Sequence, residues 1–153
     1  MKKKKAKASA HKKSAARKTK TTNTTRAKNE VKGKPPKAEL RHVAWSAIEA
    51  EELNPLFFRR FVVGQNVMVA RILLKKGCFV PEHSHHNEQI SCVLEGALKF
   101  GIDGKEIVVS AGEVLAIPPH MPHWAEAIAD TLAFDIFNPP RADWINKTDA
   151  YLR

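Results

Sequence analysis

From Arg41 onward, short apolar runs alternate with turn residues. LFFRRFVVG (56–64), NVMVARILLKKG (66–77), QISCVLEGALKFGI (89–102), KEIVVS (105–110), EVLAIPP (113–119), PHWAEA (122–127) and TLAFDIF (131–137) are separated by Gly, Asn, Asp and Pro signals. Seven or more β-branched and aromatic runs at this spacing, with no helical pattern between them, predict an antiparallel sandwich or barrel. Asp103-Gly104 between two such runs is the strongest hairpin signal in the chain. Ahead of these runs, HVAWSAIEAEELNP (42–55) reads as a possible strand followed by a short helix that Asn54-Pro55 terminates, because the residue before proline resists the helical region.

Charge divides the chain in two. The first 40 residues hold fifteen of the twenty-six Lys and Arg against Glu30 and Glu39, a net of +13, so the remaining 113 carry −3 of the total +10. The leading stretch has almost no large apolar residue before Val31. Folding it would bury too little surface to offset the ordering entropy, which predicts a disordered Lys-rich tail over 1–38 and one domain over 39–153. No apolar stretch follows the lysine run, so a secretory signal is not expected, and no run approaches the ~18 residues of a membrane helix. Non-specific nucleic-acid association through the tail stands beside a merely solubilising extension; with no aromatic interleaved, such binding would be strongly weakened by salt. Two cysteines, Cys78 and Cys92, outside any Cys-x-x-Cys pair fit reduced thiols in a cytoplasm.

Three of the seven histidines fall within four positions, in PEHSHHNEQ (81–89). On an extended backbone His83 and His85 leave the same face while His86 points away. Two converging imidazoles can ligate a divalent metal at about 2.0–2.1 Å but need further donors. His123, after the Pro118-Pro119 stop and the turn at Pro122, is the candidate from elsewhere in the chain. Asp135 and Phe137 share one face of the last strand. A carboxylate in an apolar strand is costly to bury without a cation or a proton nearby. A structural partner such as Arg59, Arg60 or Arg71 would serve Asp135 as well as a metal would, and Arg141 could likewise pair with Asp143 or Glu126.

The motifs resemble the cupin superfamily. Gly77, five residues, His83-x-His85, three residues, Gln89, six residues and Gly96 follow its first motif; Gly112, five residues and Pro118-x-His120-x-x-His123 follow its second. The resemblance spans roughly Phe57 to Ile145 and departs from the family pattern at Gln89 (usually Glu), His120 (usually Gly) and Ala127 (usually Asn). It implies an all-β single cupin barrel, a double-stranded β-helix or jelly roll, holding one divalent metal on His83, His85, Gln89 and His123. Zinc, nickel, manganese and iron are all compatible with that set.

FDIFNPPRADW (134–144) is similar to the end of pectin-degradation (KdgF-like) cupins, which convert 4,5-unsaturated uronates to linear keto sugars. That resemblance implies a small carboxylated sugar as ligand. Asp135 would then move the proton, Arg141 would grip the substrate carboxylate with its fork, and Phe137 would pack on the sugar. Two alternatives stay open: an iron- and dioxygen-dependent cupin oxygenase, and a non-enzymatic ligand-binding cupin brought to nucleic acid by its tail. The run 56–64, apolar in part on both faces, suits a strand covered by a second subunit and so suggests a homodimer.

Overall fold

The computed structural model describes residues 39–153; the expectations for the basic tail, disorder and nucleic-acid contact alike, fall outside this range. Ten strands follow a 3-10 turn at Trp45–Ala47: β1 (Glu51–Asn54), β2 (Phe57–Val63), β3 (Met68–Leu74), β4 (Phe79–His83), β5 (Glu88–Glu95), β6 (Ala97–Ile102), β7 (Lys105–Ser110), β8 (Val114–Ile117), β9 (His123–Ala127) and β10 (Thr131–Asn138). A short helix α1 (Ala142–Ile145) and a 3-10 turn (Ala150–Leu152) end the chain. The strands form two antiparallel sheets, ordered β1-β2-β3-β10-β5-β8 and β4-β9-β6-β7. This is the all-β architecture of a cupin fold.

Alternation drives the assembly. Met68, Ala70, Ile72 and Leu74 of β3 all face inward and are buried, as are Val93 of β5, Leu98 and Phe100 of β6 and Ala133 and Phe137 of β10. A strand with every second residue apolar buries one face only, so each sheet turns that face toward the other. The Asp103-Gly104 hairpin joins β6 to β7 with φ of 52° and 71°, as a two-residue turn with both residues left-handed requires.

The helix expected before Asn54 is instead strand β1. Glu51 and Glu52 pair with Arg59 and Phe58 of β2, and Leu53 enters the core. Glu51, Glu52 and Leu53 are good helix formers, but a single turn is too short to be stable alone and cannot compete with that pairing and burial. The stretch 56–64 contains β2, which is hydrogen-bonded on both edges, by β1 and β3. Its outward residues Phe58, Arg60 and Val62 are half-buried within the single chain.

Charge holds the C-terminal end in place. The fully buried guanidinium of Arg59 meets Glu51 at 2.8 Å and Asp149 at 2.6 Å, and lies 4.3 Å over the Trp144 ring. Arg153 reaches the same two acids at 2.7 and 3.2 Å, and Asn54 Nδ2 donates to the Leu152 carbonyl at 3.2 Å. This clasp seats the Ala150–Leu152 turn against the barrel.

Three substitutions test these points. Arg59→Leu leaves the buried Asp149 without its closest cation and should cost about 3–5 kcal/mol, read from urea denaturation. Gly96 sits at φ 77°, and a Cβ there would lie 2.2 Å from the Asp130 carbonyl oxygen, whereas Gly112 at φ 86° has nothing within 4 Å. Gly96→Ala should therefore lose about 2–3 kcal/mol and Gly112→Ala about 1 kcal/mol; equal losses would refute the backbone-contact explanation.

Candidate metal centre and its cavity

Strand pairing brings the site together. His83 at the end of β4 lies directly opposite His123 at the start of β9. On the other sheet, Gln89 and Ser91 of β5 lie opposite Phe137 and Asp135 of β10. His85 follows the end of β4, in the loop before β5 rather than on a strand, so its approach is set by that loop. The loop is itself pinned, because the His120 amide donates to the His85 carbonyl at 2.7 Å.

Each imidazole is oriented by its own backbone neighbourhood. Nδ1 of His83 bonds the Pro81 carbonyl at 2.8 Å, Nδ1 of His123 the Met121 carbonyl at 2.8 Å, and Nδ1 of His85 the Asn87 carbonyl at 3.0 Å. A carbonyl can only accept, so all three Nδ1 atoms carry the proton and all three Nε2 atoms present a lone pair. The ligand atoms of the three rings lie within 4.8 Å of one another. Burial pushes His83 and His85 down to about 4, against the opposing pull of the Pro81 carbonyl and the Gln89 side chain respectively, and it lowers His123 as well. The rings are thus neutral at pH 7, the form that ligates metal.

Gln89 completes the constellation. Its Oε1 lies 3.2 Å from His85 Nε2, while its Nε2 donates to Ser91 Oγ at 2.9 Å, and Ser91 Oγ donates to Asp135 Oδ1 at 2.6 Å. With the His85 proton on Nδ1, an amide oxygen and an imidazole lone pair face each other with no proton between them. Two acceptors at that distance fit a cation placed between them. The donor set therefore suits a divalent metal held by His83, His85 and His123, with the Gln89 oxygen turned toward the same point.

The remaining expected residues line the same cavity. Asp135 bonds Ser91 and none of the suggested arginines; burial raises its carboxyl to about 6, with the Ser91 hydrogen bond and the Arg141 charge opposing. Phe137 is buried, edge-on to His85 with ring centroids 5.8 Å apart, and serves as core and cavity wall at once. Arg141 is also buried, but its Nε and Nη2 are held by Asp143 at 2.9 and 2.6 Å. The side of its fork expected to meet a substrate is thereby turned to a neighbour two residues away, one of the structural partners anticipated for it. His86 and His120 are exposed. His120 has φ 64°, the left-handed geometry that explains why glycine is usual there.

Three residues that bear on the site, Ser91 beside the cavity and Trp144 and Tyr151 in its wall, were not singled out from the sequence. Ser91 carries the link from Gln89 to Asp135 and was findable, being two residues along the same strand face. Trp144 and Tyr151 come from the last twelve residues, where no periodic pattern marks them. Tyr151 stacks on His83 with ring centroids 4.8 Å apart and accepts a hydrogen bond from Arg141 Nη2 at 2.6 Å. With Trp144 and Leu152 they narrow the cavity to about 50 Å³.

A β-barrel closed around three convergent imidazoles defines the class of protein: it is a cupin in fold. A family model described as "Cupin domain" matches residues 70–137, which include every proposed ligand. KdgF from Halomonas sp. superposes with a TM-score of 0.65 at 24% identity, covering 69% of this chain and 99% of that one. An RmlC-like cupin from Shewanella frigidimarina gives 0.64 at 28% identity, covering 70% and 97%. A variant of Bacillus subtilis oxalate decarboxylase OxdC gives 0.56 at 17%, covering 65% of this chain and 29% of the enzyme. No curated protein matches the sequence. Among the described residues no helix is long and apolar enough to cross a membrane.

Zinc added to full-length protein at 1,000 times its Kd should stabilise the fold by about 4 kcal/mol, read as a rise in thermal midpoint. His123→Ala should abolish that rise and Gln89→Ala should weaken zinc binding about 10- to 100-fold. Undiminished affinity in both variants would remove this cluster as the site.

Proposed function

We propose that the protein is a metal-dependent cupin enzyme that opens a 4,5-unsaturated uronate to its linear keto form. The observation that carries this reading is the hydrogen-bonded chain from the His85–Gln89 contact through Ser91 to Asp135, in a cavity that Arg141 and Phe137 also line. The structural likeness to KdgF and the FDIFNPPRADW segment support it.

His83, His85 and His123, with Gln89, would hold a divalent cation, and such a cation would supply Lewis acidity. The protein does the rest. Ser91 fixes Oδ1 of Asp135 and leaves Oδ2 for the substrate. Tautomerising the enol removes a proton from oxygen and places one on carbon, and a carboxyl lifted to about 6 both accepts and returns a proton near neutrality. Arg141, held over the Phe137 and Trp144 rings at 5.2 and 5.1 Å, presents positive charge to the uronate carboxylate through the part of its guanidinium that Asp143 does not occupy. A cavity of about 50 Å³ admits a carboxylate or a few waters, far below the roughly 300 Å³ of ordinary ligand pockets. A shift in the cavity lining must therefore accompany entry of a sugar ring.

That small volume favours a second reading, an iron- and dioxygen-dependent cupin, since dioxygen needs no such shift. The two part in one experiment. Metal-loaded protein is mixed with an unsaturated uronate while ultraviolet absorbance and dissolved oxygen are followed together. Loss of absorbance without oxygen uptake is expected, with Asp135→Asn at least about a hundredfold slower at unchanged metal content. Oxygen uptake, or a variant as fast as the parent, would overturn the proposal.

A further inference from the structure

Tyr151 occupies a position that the proposed chemistry leaves unused. Its ring lies against His83, its hydroxyl touches Arg141, and it lines the metal cavity. The direction of its own proton follows from its neighbours. Arg141 Nη2 donates to Oη at 2.6 Å, so Oη is the acceptor in that contact. The indole N–H of Trp144, also beside it, is likewise only a donor. Among the described residues no carbonyl or carboxylate oxygen accepts from Oη. The His83 ring is stacked against the phenol at 32°, which keeps its lone pair for the histidine cluster. The hydroxyl hydrogen is therefore unspent and borders a cavity where Arg141 contributes positive charge.

The residue is also held firmly enough to matter. The Arg59–Asp149–Arg153–Glu51 clasp fixes the turn on either side of it, and Asn54 holds the next carbonyl. A donor set in place before its ligand arrives loses little entropy on binding. We infer that Tyr151 is an anion-binding residue, its hydroxyl donating to a carboxylate oxygen of the ligand that enters the metal cavity, alongside the guanidinium of Arg141. The inference rests on the reading of the cluster as a metal site, but not on uronate turnover.

Acetate, small enough for the closed cavity, is the probe. Full-length protein is loaded with Co²⁺ and titrated with acetate while the visible cobalt bands are followed. The expected result is a saturable change in the parent and about tenfold weaker acetate binding in Tyr151→Phe, one lost hydrogen bond to a charged group, with Co²⁺ affinity unchanged. Equal acetate affinity in the two proteins, or no response in the parent, overturns the inference. So does a loss of Co²⁺ affinity as large as the loss of acetate affinity, since Tyr151 would then merely prop His83. A second measurement covers a variant that fails to fold. Tyr151 is the one tyrosine of the chain, so 3-fluorotyrosine gives a single ¹⁹F resonance. In zinc-loaded parent protein that resonance should move on adding acetate; a resonance that stays put overturns the inference. Protein that binds acetate in this way yet leaves unsaturated uronates untouched would retain Tyr151 and lose only the proposed reaction.

Discussion

Three backbone carbonyls decide what this barrel can hold. By accepting the Nδ1 protons of His83, His85 and His123, the carbonyls of Pro81, Asn87 and Met121 aim three lone pairs at one point. Burial then keeps the rings neutral, so the cluster is a ready acceptor set rather than a trio of cations repelling one another. The carbonyls come from the end of β4, the loop before β5 and the turn before β9, which ties the geometry of the centre to the packing of both sheets.

Gln89 carries that arrangement outward. Its amide oxygen faces the histidines and its nitrogen faces Ser91, so the orientation of one side chain couples the metal cluster to the carboxylate of Asp135. A glutamate in its place could not donate to Ser91 and would bring a second negative charge near Asp135. The neutral amide serves the relay and leaves the charge of any bound cation undiminished toward its other ligands.

The mouth of the barrel is governed by the C-terminal residues. Arg141 is engaged by Asp143 and Tyr151, and Tyr151 is anchored through neighbours that answer to Arg59 and Glu51 at the far end of the fold. Arg59 is a buried charge that two acids and an aromatic face compensate. Such a centre costs desolvation, and what it supplies is a fixed position for the segment that roofs the cavity.

Much of this was legible in the residues alone. Strand alternation predicts an antiparallel sandwich or barrel, Asp103-Gly104 predicts the β6–β7 hairpin, and the resemblance to the cupin motifs implies the convergence of His83, His85 and His123, because each signal depends on residues close in the chain or on a motif of fixed intervals. Glu51–Asn54 misled, since its helical look is overruled by pairing with β2. Ser91 was within reach, as it shares a strand face with Gln89. The pairing of Arg141 with Asp143 was one of the alternatives the residues left open, whereas the clasp around Arg59 and the placing of Tyr151 over His83 were not legible. These contacts join segments up to 102 residues apart, as Arg153 to Glu51 does, through side chains with no periodic signature. Motif spacing along the chain is enough to name the histidines that converge. How much room they enclose, and which side chains close it, depends on packing, because that volume is what remains after distant segments have come together.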